Sequence, residues 1–232
     1  MARLARVVIP GLPHHVTQRG NGRARTFFSD DDYTLYLKLL TSACAVAKVR
    51  CLGYVLMPNH VHLILVPKDA DGLRKAMSSV HRAYAGQINA RRKKTGHFWQ
   101  GRYGAAVMDE NHLTEAFRYI LRNPVVAKLV SEAERWPWSS ARAYLKGGED
   151  GLTTKGPMLS RFPSMRTLLG DKIASQDFVV RDDETIGRPR GSAAFIAGLE
   201  RKTGRTLQAE KRGPKPKKSK VKPVRRKSRK TE

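Results

Sequence analysis

The stretch CLGYVLMPNHVHLILVP, residues 51–67, decides the fold. Two apolar runs, residues 51–57 and 60–67, lie on either side of Pro58-Asn59, and proline and asparagine are turn residues. The second run alternates polar and apolar residues at its start and then becomes apolar throughout. The stretch therefore predicts a hairpin of two central β-strands.

The segments before the hairpin predict a strand and a long helix. Residues 14–19 are rich in Val, Thr and His and predict a strand, which begins after the bend at residues 11–13 and ends at the turn of residues 20–22. Residues 29–32, Ser-Asp-Asp-Asp, provide helix-capping side chains. The apolar spacing that follows them predicts a helix to about Lys48.

The segments after the hairpin complete the domain. Helical spacing runs from residue 69 to about residue 92, a strand of small residues follows Tyr103, and a helix is predicted over residues 111–121, with Pro124 close to its end or at a kink. The order strand, helix, strand, strand, helix, strand, helix predicts a ferredoxin-like split βαβ fold of the α+β class, an antiparallel sheet flanked by helices.

The remaining sequence predicts three units. We expect one main domain over residues 1–146 and an extension with a small helical unit over residues 147–210. Residues 211–232 carry twelve Lys or Arg and one acidic residue with almost no apolar content, so we expect this tail to be disordered without a partner.

The charge balance favours a polyanionic partner. The formal net charge is +25, from 45 Lys and Arg against 20 Asp and Glu. Without the tail, 33 basic and 19 acidic residues remain, a net charge of +14, so the body of the protein is basic in its own right. Nucleic acid is therefore the expected partner.

Cysteine content and apolar runs indicate the compartment. Two cysteines, Cys44 and Cys51, form neither a thiolate zinc site by themselves nor a disulfide framework, and they fit a reducing cytoplasm. The sequence shows neither a signal peptide nor an apolar stretch of about 20 residues that could span a membrane. We expect a soluble, intracellular protein without a membrane partner.

His60 and His62 form the first part of a candidate metal site. Side chains alternate along a strand, so the two imidazoles point to the same face of the sheet. They are either metal ligands or core histidines hydrogen-bonded to their neighbours. A third interpretation is a structural zinc site that also uses Cys51.

Tyr119 and Asn123 form the second part. They are four residues apart in a predicted helix and so face the same way. A tyrosine hydroxyl, with an ordinary pKa of about 10, needs a nearby cation or a polarised phosphate to act as a nucleophile. Two imidazoles and an amide oxygen suit Mg²⁺ or Mn²⁺. The alternative for Tyr119 is an amphipathic residue at a helix–sheet boundary.

Four blocks of this sequence resemble a known family. They are GYVLMPNHVHLIL (residues 53–65), FWQGRYGAAVMD (98–109), FRYILRNPVVAKLV (117–130) and WPWSSARAYL (136–145). In this order and spacing they resemble the REP-associated tyrosine transposases, relatives of the single-strand transposases of small bacterial insertion sequences in the HUH class. The resemblance covers residues 5–146.

The resemblance implies roles for four residues. His60 and His62 match the metal-binding pair, Tyr119 matches the nucleophile, and Asn123 stands where related transposases have a glutamine that completes the metal site. It also implies transesterification: the tyrosine attacks a single-stranded phosphodiester in a hairpin-forming repeat, stays linked to the 5′ end and frees a 3′ hydroxyl, without nucleotide hydrolysis.

A basic and aromatic segment is the candidate DNA contact. Cations beside aromatic rings are typical of single-strand and hairpin binders, although Trp99 could equally be a core residue. The expected DNA-binding residues are Arg91, Arg92, Lys93, Lys94, Trp99, Arg102 and Arg23. His14 and His15 are weighed as extra metal ligands, with sheet packing or DNA contact favoured for them.

The sequence thus predicts a metal-dependent single-stranded DNA endonuclease and strand transferase that forms a 5′-phosphotyrosine intermediate on hairpin DNA. The alternative is a non-catalytic protein that binds structured DNA or RNA on the same fold. We expect the protein in the bacterial cytoplasm, at the nucleoid. The sequence leaves open whether it acts as a homodimer or a monomer.

Overall fold

The fold is seen in a computed structural model, which describes residues 6–170 and 187–208. The four strands are β1 (His14–Arg19), β2 (Val49–Met57), β3 (His60–Pro67) and β4 (Gly104–Val107). The helices are α1 (Asp30–Val46), α2 (Gly72–Arg91), α3 (Glu110–Val126), α4 (Ala141–Leu145), α5 (Gly156–Arg161), α6 (Met165–Gly170) and α7 (Ala193–Thr203).

The strands form one antiparallel sheet in the order β2-β3-β1-β4. Strands β2 and β3 form the predicted hairpin, whereas β1 reaches β2 through α1, and β3 reaches β4 through α2. Each helical connection passes over a strand that lies between the two strands it joins. This arrangement is the split βαβ of the ferredoxin-like fold, so the predicted fold class is confirmed.

One face of the sheet is covered by α1 and α2. Tyr36 and Leu40 of α1 and Met77 and Tyr84 of α2 are fully buried, and they belong to one apolar cluster with Leu63 of β3. Each such side chain contributes about 1.5–3 kcal/mol when it leaves water. The larger part of the core lies on this face. Its packing holds β1 and β3 in position.

The other face is covered mainly by α3. Phe117 and Ile120 of this helix are fully buried against Val55 and Ile64 of the sheet. The helix ends at Val126, five residues beyond the predicted end, and Pro124 lies inside its last turn. The extra turn holds residue 123 in helical geometry.

Non-strand segments cover both edges of the sheet. On the β2 edge, the Leu56 amide donates to the carbonyl of Trp138 at 2.8 Å. On the β4 edge, the Arg190 amide donates to the carbonyl of Val107 at 2.7 Å, and the Asp109 amide donates to the carbonyl of Arg190 at 3.0 Å. These bonds use backbone groups that an open edge would present to another chain.

The helices of the extension are short, and the small helical unit predicted there corresponds to α7. The predicted boundaries at residues 146 and 210 stay predictions, and the tail from residue 211 lies outside the described residues. Within the described part of the chain, no helix has the length and apolar character needed to cross a membrane.

Candidate active site

The two histidines of the HxH motif lie at one end of the sheet, where β3 begins. His60 follows the Pro58-Asn59 turn directly, and His62 comes two residues later on the same face as Ile64, the face covered by α3. Their ring centroids are 4.9 Å apart and the rings are nearly perpendicular, at 88°. The strand geometry therefore gives two imidazoles at one place, as the alternation predicted.

The protonation of His60 is set by the residue before it. Nδ1 of His60 lies 2.5 Å from Oδ1 of Asn59, and the Asn59 side-chain amide donates to the carbonyl of Arg23 at 3.1 Å. Because Oδ1 can only accept, Nδ1 of His60 carries the hydrogen. The lone pair of the neutral ring is then on Nε2, which is the nitrogen available to a metal ion.

His62 is buried and has an unsatisfied nitrogen. Its side chain is 2% exposed, and Nε2 has no hydrogen-bond partner among the described residues. Nδ1 lies 3.0 Å from Nε2 of His15, and the two rings stack at a centroid distance of 5.1 Å. A buried polar atom without a partner costs about 1–3 kcal/mol, so Nε2 of His62 is a nitrogen that gains from binding a cation.

Burial keeps both rings neutral near pH 7. Loss of hydration, with a smaller contribution from the charge of Arg19, lowers the pKa of His60 to about 4. Loss of hydration also lowers the pKa of His62 well below its ordinary value, with His15, His60 and Arg19 contributing in the same direction. Metal ions bind the neutral imidazole, so these two nitrogens are available as ligands without prior proton loss.

Helix α3 places a tyrosine against this pair. The helix begins at the cap residue Asp109, whose carboxylate accepts from the His112 amide at 3.0 Å. Tyr119 is half-buried, and its ring meets that of His62 edge-on, with centroids 5.3 Å apart. Asn123 is 7% exposed and lies one helical turn further on, on the same side of α3.

The donor set fits a divalent cation in an open site. Among the described residues there is no group of three or more His, Cys, Asp or Glu side chains that could hold a metal. The available donors are Nε2 of His60, the unsatisfied Nε2 of His62 and the amide of Asn123. Such a set leaves coordination positions for a phosphate, as catalytic sites require.

The zinc interpretation fails because a register shift in β2, between Cys51 and Gly53, interrupts the alternation of side chains. Cys51 is a free thiol in the cluster beneath α1 and α2, on the face of the sheet opposite the two histidines. It therefore cannot share a site with them.

Part of the predicted DNA-binding segment contacts other residues of the protein. Arg91 forms an ion pair with Asp32 at 2.5 Å, and Asp32 is fully buried at the start of α1. The guanidinium of Arg92 lies over the ring of Phe28 at 3.7 Å. Trp99 is half-buried, and its indole N–H donates to the carbonyl of His81 at 3.1 Å.

The other predicted cations are exposed near the same end of the sheet. Lys93 and Lys94 follow the end of α2, and Arg23 and Arg102 are also exposed. The loop that precedes Arg102 is bonded to the end of β1, where the Gln100 amide donates to a carbonyl at 2.9 Å. These cations therefore flank the end of the sheet at which β3 begins.

Two neighbours of the histidine pair were not recognised from the sequence. For His15, sheet packing or DNA contact was favoured over a role as an extra metal ligand, and Arg19 was not considered. His15 and Arg19 lie on the face of β1 that meets the two histidines, whereas Val16 lies on the opposite face. The period-two pattern could have assigned them to one face, but only the register with β3 shows which side chains they meet.

Comparisons with known proteins concern the family and the fold. A family model for IS200-like transposases matches residues 10–123. The chain is similar to the solved structure of a REP-associated tyrosine transposase bound to a REP hairpin, with 18% sequence identity and a TM-score of 0.51, over 78% of this chain and 100% of that chain. At this identity the likeness shows a shared fold.

A candidate transposase from Deinococcus radiodurans R1 matches with 18% identity and a TM-score of 0.37, over 51% of this chain and 95% of that one. A search of curated proteins found no match.

Proposed function

Through residues 10–123 the chain belongs to the IS200-like transposase family, and on that premise we propose that it cuts and rejoins single-stranded DNA by transesterification at Tyr119. The observation that carries the proposal is the meeting of three groups: two neutral imidazoles and a tyrosine whose ring lies 5.3 Å from that of His62. If Tyr119 were only a core residue, the unsatisfied histidine nitrogen beside it would have no explanation.

The proposed step exchanges one phosphate ester for another. The Oη atom of Tyr119 loses its proton and forms a bond to phosphorus, while the bond from phosphorus to the 3′ oxygen breaks and that oxygen takes up a proton. The 5′ phosphate stays on Tyr119. Because an ester replaces an ester, the reverse attack by a 3′ hydroxyl rejoins the strand without nucleotide hydrolysis.

The residues of the chain prepare this step by position. In this proposal His60 and His62 each offer Nε2 as a ligand, and Asn123 offers an amide oxygen from the turn after Tyr119. The chemistry that Mg²⁺ or Mn²⁺ supplies when bound by these groups is polarisation of the phosphate and neutralisation of its developing charge.

His15 holds the metal-binding histidine in place. When Nδ1 of His62 donates to Nε2 of His15 across their 3.0 Å separation, the lone pair of His62 is on Nε2. A partner of this kind fixes both the ring orientation and the tautomer of a metal ligand. The stack of the two rings adds to that constraint.

We propose hairpin-forming single-stranded DNA as the substrate. The net charge of +25 supports a nucleic-acid partner, and Lys93, Lys94, Arg23 and Arg102 flank the end of the sheet where the histidines lie. The similar solved structure is of a transposase bound to a REP hairpin. A hairpin of that kind is therefore the first substrate to test.

The test uses hairpin-bearing single-stranded DNA labelled at its 3′ end, with Mn²⁺, on a denaturing gel. The 3′ fragment carries the phosphate, so the proposal predicts a labelled protein–DNA adduct that is absent with chelator and with Tyr119→Phe. Tyr33→Phe is the matched control, because Tyr33 lies on the other face of the sheet. Tight binding without any cut strand would favour a non-catalytic hairpin-binding protein instead.

A further inference from the structure

Arg19 is the last residue of β1 and is directly opposite His60 in the antiparallel register with β3. Directly paired residues point to the same face, with Cβ atoms about 4.5–5.5 Å apart. Thr17, two residues earlier, is opposite His62. Arg19 therefore stands beside the two histidines, on their side of the sheet, at the end where the chain turns.

The backbone of Arg19 is held from both sides. On one side the Gly20 amide donates to the carbonyl of Asn59 at 2.9 Å, beside the turn that begins β3. On the other side the carbonyl of Arg19 accepts from the Gln100 amide at 2.9 Å. The point from which the guanidinium extends is thus fixed relative to His60.

No acidic side chain in the described part of the chain forms an ion pair with Arg19. The charge of Arg19 contributes to lowering the pKa of both His60 and His62, after burial. The other causes that lower these two pKa values are burial and, for His62, the neighbouring imidazoles.

A guanidinium beside a divalent cation is unfavourable unless an anion joins them. The repulsion between the two cations weakens metal binding to the free protein, whereas a phosphate between them attracts both. The site so built favours the metal and the phosphate together over the metal alone. This arrangement suits a reaction in which negative charge on phosphate oxygens grows toward the transition state.

We propose that Arg19 is a catalytic residue that binds a non-bridging oxygen of the scissile phosphate from the β1 side, opposite Tyr119. This inference rests on the proposed function, because it names a group that touches the reacting phosphate. Arg19 donates hydrogen bonds to the phosphate throughout and does not exchange a proton with it. The bonds that form and break are those at phosphorus already described.

The experiment compares Arg19→Ala with the wild type in two measurements. With saturating Mn²⁺ and hairpin DNA, single-turnover cleavage is expected to fall about 100-fold, the loss typical of one donor to a developing oxyanion. Without DNA, Mn²⁺ titrated by calorimetry is expected to bind about 3- to 10-fold more tightly to Arg19→Ala, because a nearby positive charge is gone. A merely structural role would weaken both properties.

Two further variants sharpen the result. Arg19→Lys keeps the positive charge but not the paired donors. It is expected to cleave faster than Arg19→Ala but more slowly than the wild type, and to bind Mn²⁺ no more tightly than the wild type. Arg50→Ala is the matched control: Arg50 is exposed and is opposite Val66, which puts it on the same face at the far end of the sheet. It should leave both measurements unchanged.

The outcomes separate the two proposals. If the wild type cuts and Arg19→Ala cuts equally fast, the role of Arg19 is refuted while the proposed function stands. Weaker Mn²⁺ binding by Arg19→Ala, together with slower cleavage, also overturns the proposal, since it indicates a damaged site. A wild type that leaves the DNA uncut refutes the proposed function and this inference with it.

Discussion

Replacement of His15 by phenylalanine is expected to weaken Mn²⁺ binding about 10- to 100-fold without unfolding the protein. Nε2 of His15 lies 3.0 Å from Nδ1 of His62, and both rings are 2% exposed. Phenylalanine keeps a ring stacked against His62 but cannot accept a hydrogen bond. The His62 ring then loses the contact that selects the tautomer with its lone pair on Nε2.

The size of the effect follows from the free energies involved. A 10- to 100-fold loss of affinity corresponds to about 1.4–2.7 kcal/mol. A buried N–H that loses its only acceptor costs about 1–3 kcal/mol, which covers the same range. If the proton moves to Nε2 instead, that nitrogen no longer has a lone pair to bind a metal ion.

The assay is calorimetric titration of Mn²⁺ into each folded variant, with urea unfolding measured in parallel. His14→Phe is the matched control, because His14 is equally buried on the opposite face, where Nε2 accepts from the Ile9 amide at 3.1 Å. This control should lose stability and keep its Mn²⁺ affinity. The reasoning is refuted if His15→Phe stays folded and binds Mn²⁺ as tightly as the wild type.

Two further predictions concern stability. Lys128 follows the cap residue Ala127 at the end of α3 and has a φ of 57°, a conformation suited to glycine, so Lys128→Gly should raise the free energy of unfolding by about 0.5–1 kcal/mol. Lys75→Gly, inside α2, should lower the free energy of unfolding by about 1 kcal/mol. Urea unfolding of both variants is the measurement, and equal effects of the two substitutions would contradict the glycine-type conformation of Lys128. Burial lowers the pKa of His14 to about 4 and that of His81 to about 3, so above pH 6.5 both are neutral in either state, and below it the unfolded chain binds more protons. Stability should therefore fall as pH falls from 6.5 to 4, by up to about 1.4 kcal/mol per pH unit for each histidine, and an unfolding free energy that is constant from pH 7 to pH 5 would count against it.

Local sequence was sufficient to predict the fold because the decisive signals lie within single segments. The Pro58-Asn59 turn between two apolar runs set the hairpin, and alternation along β3 put His60 and His62 on one face. The ends of the helices were less predictable. Apolar spacing does not reveal that α3 continues past Pro124 to Val126.

The surroundings of the site could not be predicted from local pattern. The contact between His15 and His62 joins residues 47 apart in sequence, and its existence depends on the register of β1 against β3. The same register brings Arg19 to His60. Likewise, Arg91 was assigned to DNA from its basic neighbourhood, and only the packing of α1 on α2 shows its ion pair with Asp32.

The central claim is that Tyr119 becomes covalently attached to DNA, and mass spectrometry tests it most directly. Trypsin cuts after Arg118 and after Arg122, which gives the peptide YILR, residues 119–122, with Tyr119 as its only hydroxyl-bearing side chain. After reaction with hairpin DNA and Mn²⁺ and digestion of the DNA, the account predicts this peptide with an added phosphate or nucleotide. An adduct on any other peptide, or cleavage with the peptide always unmodified, would contradict it.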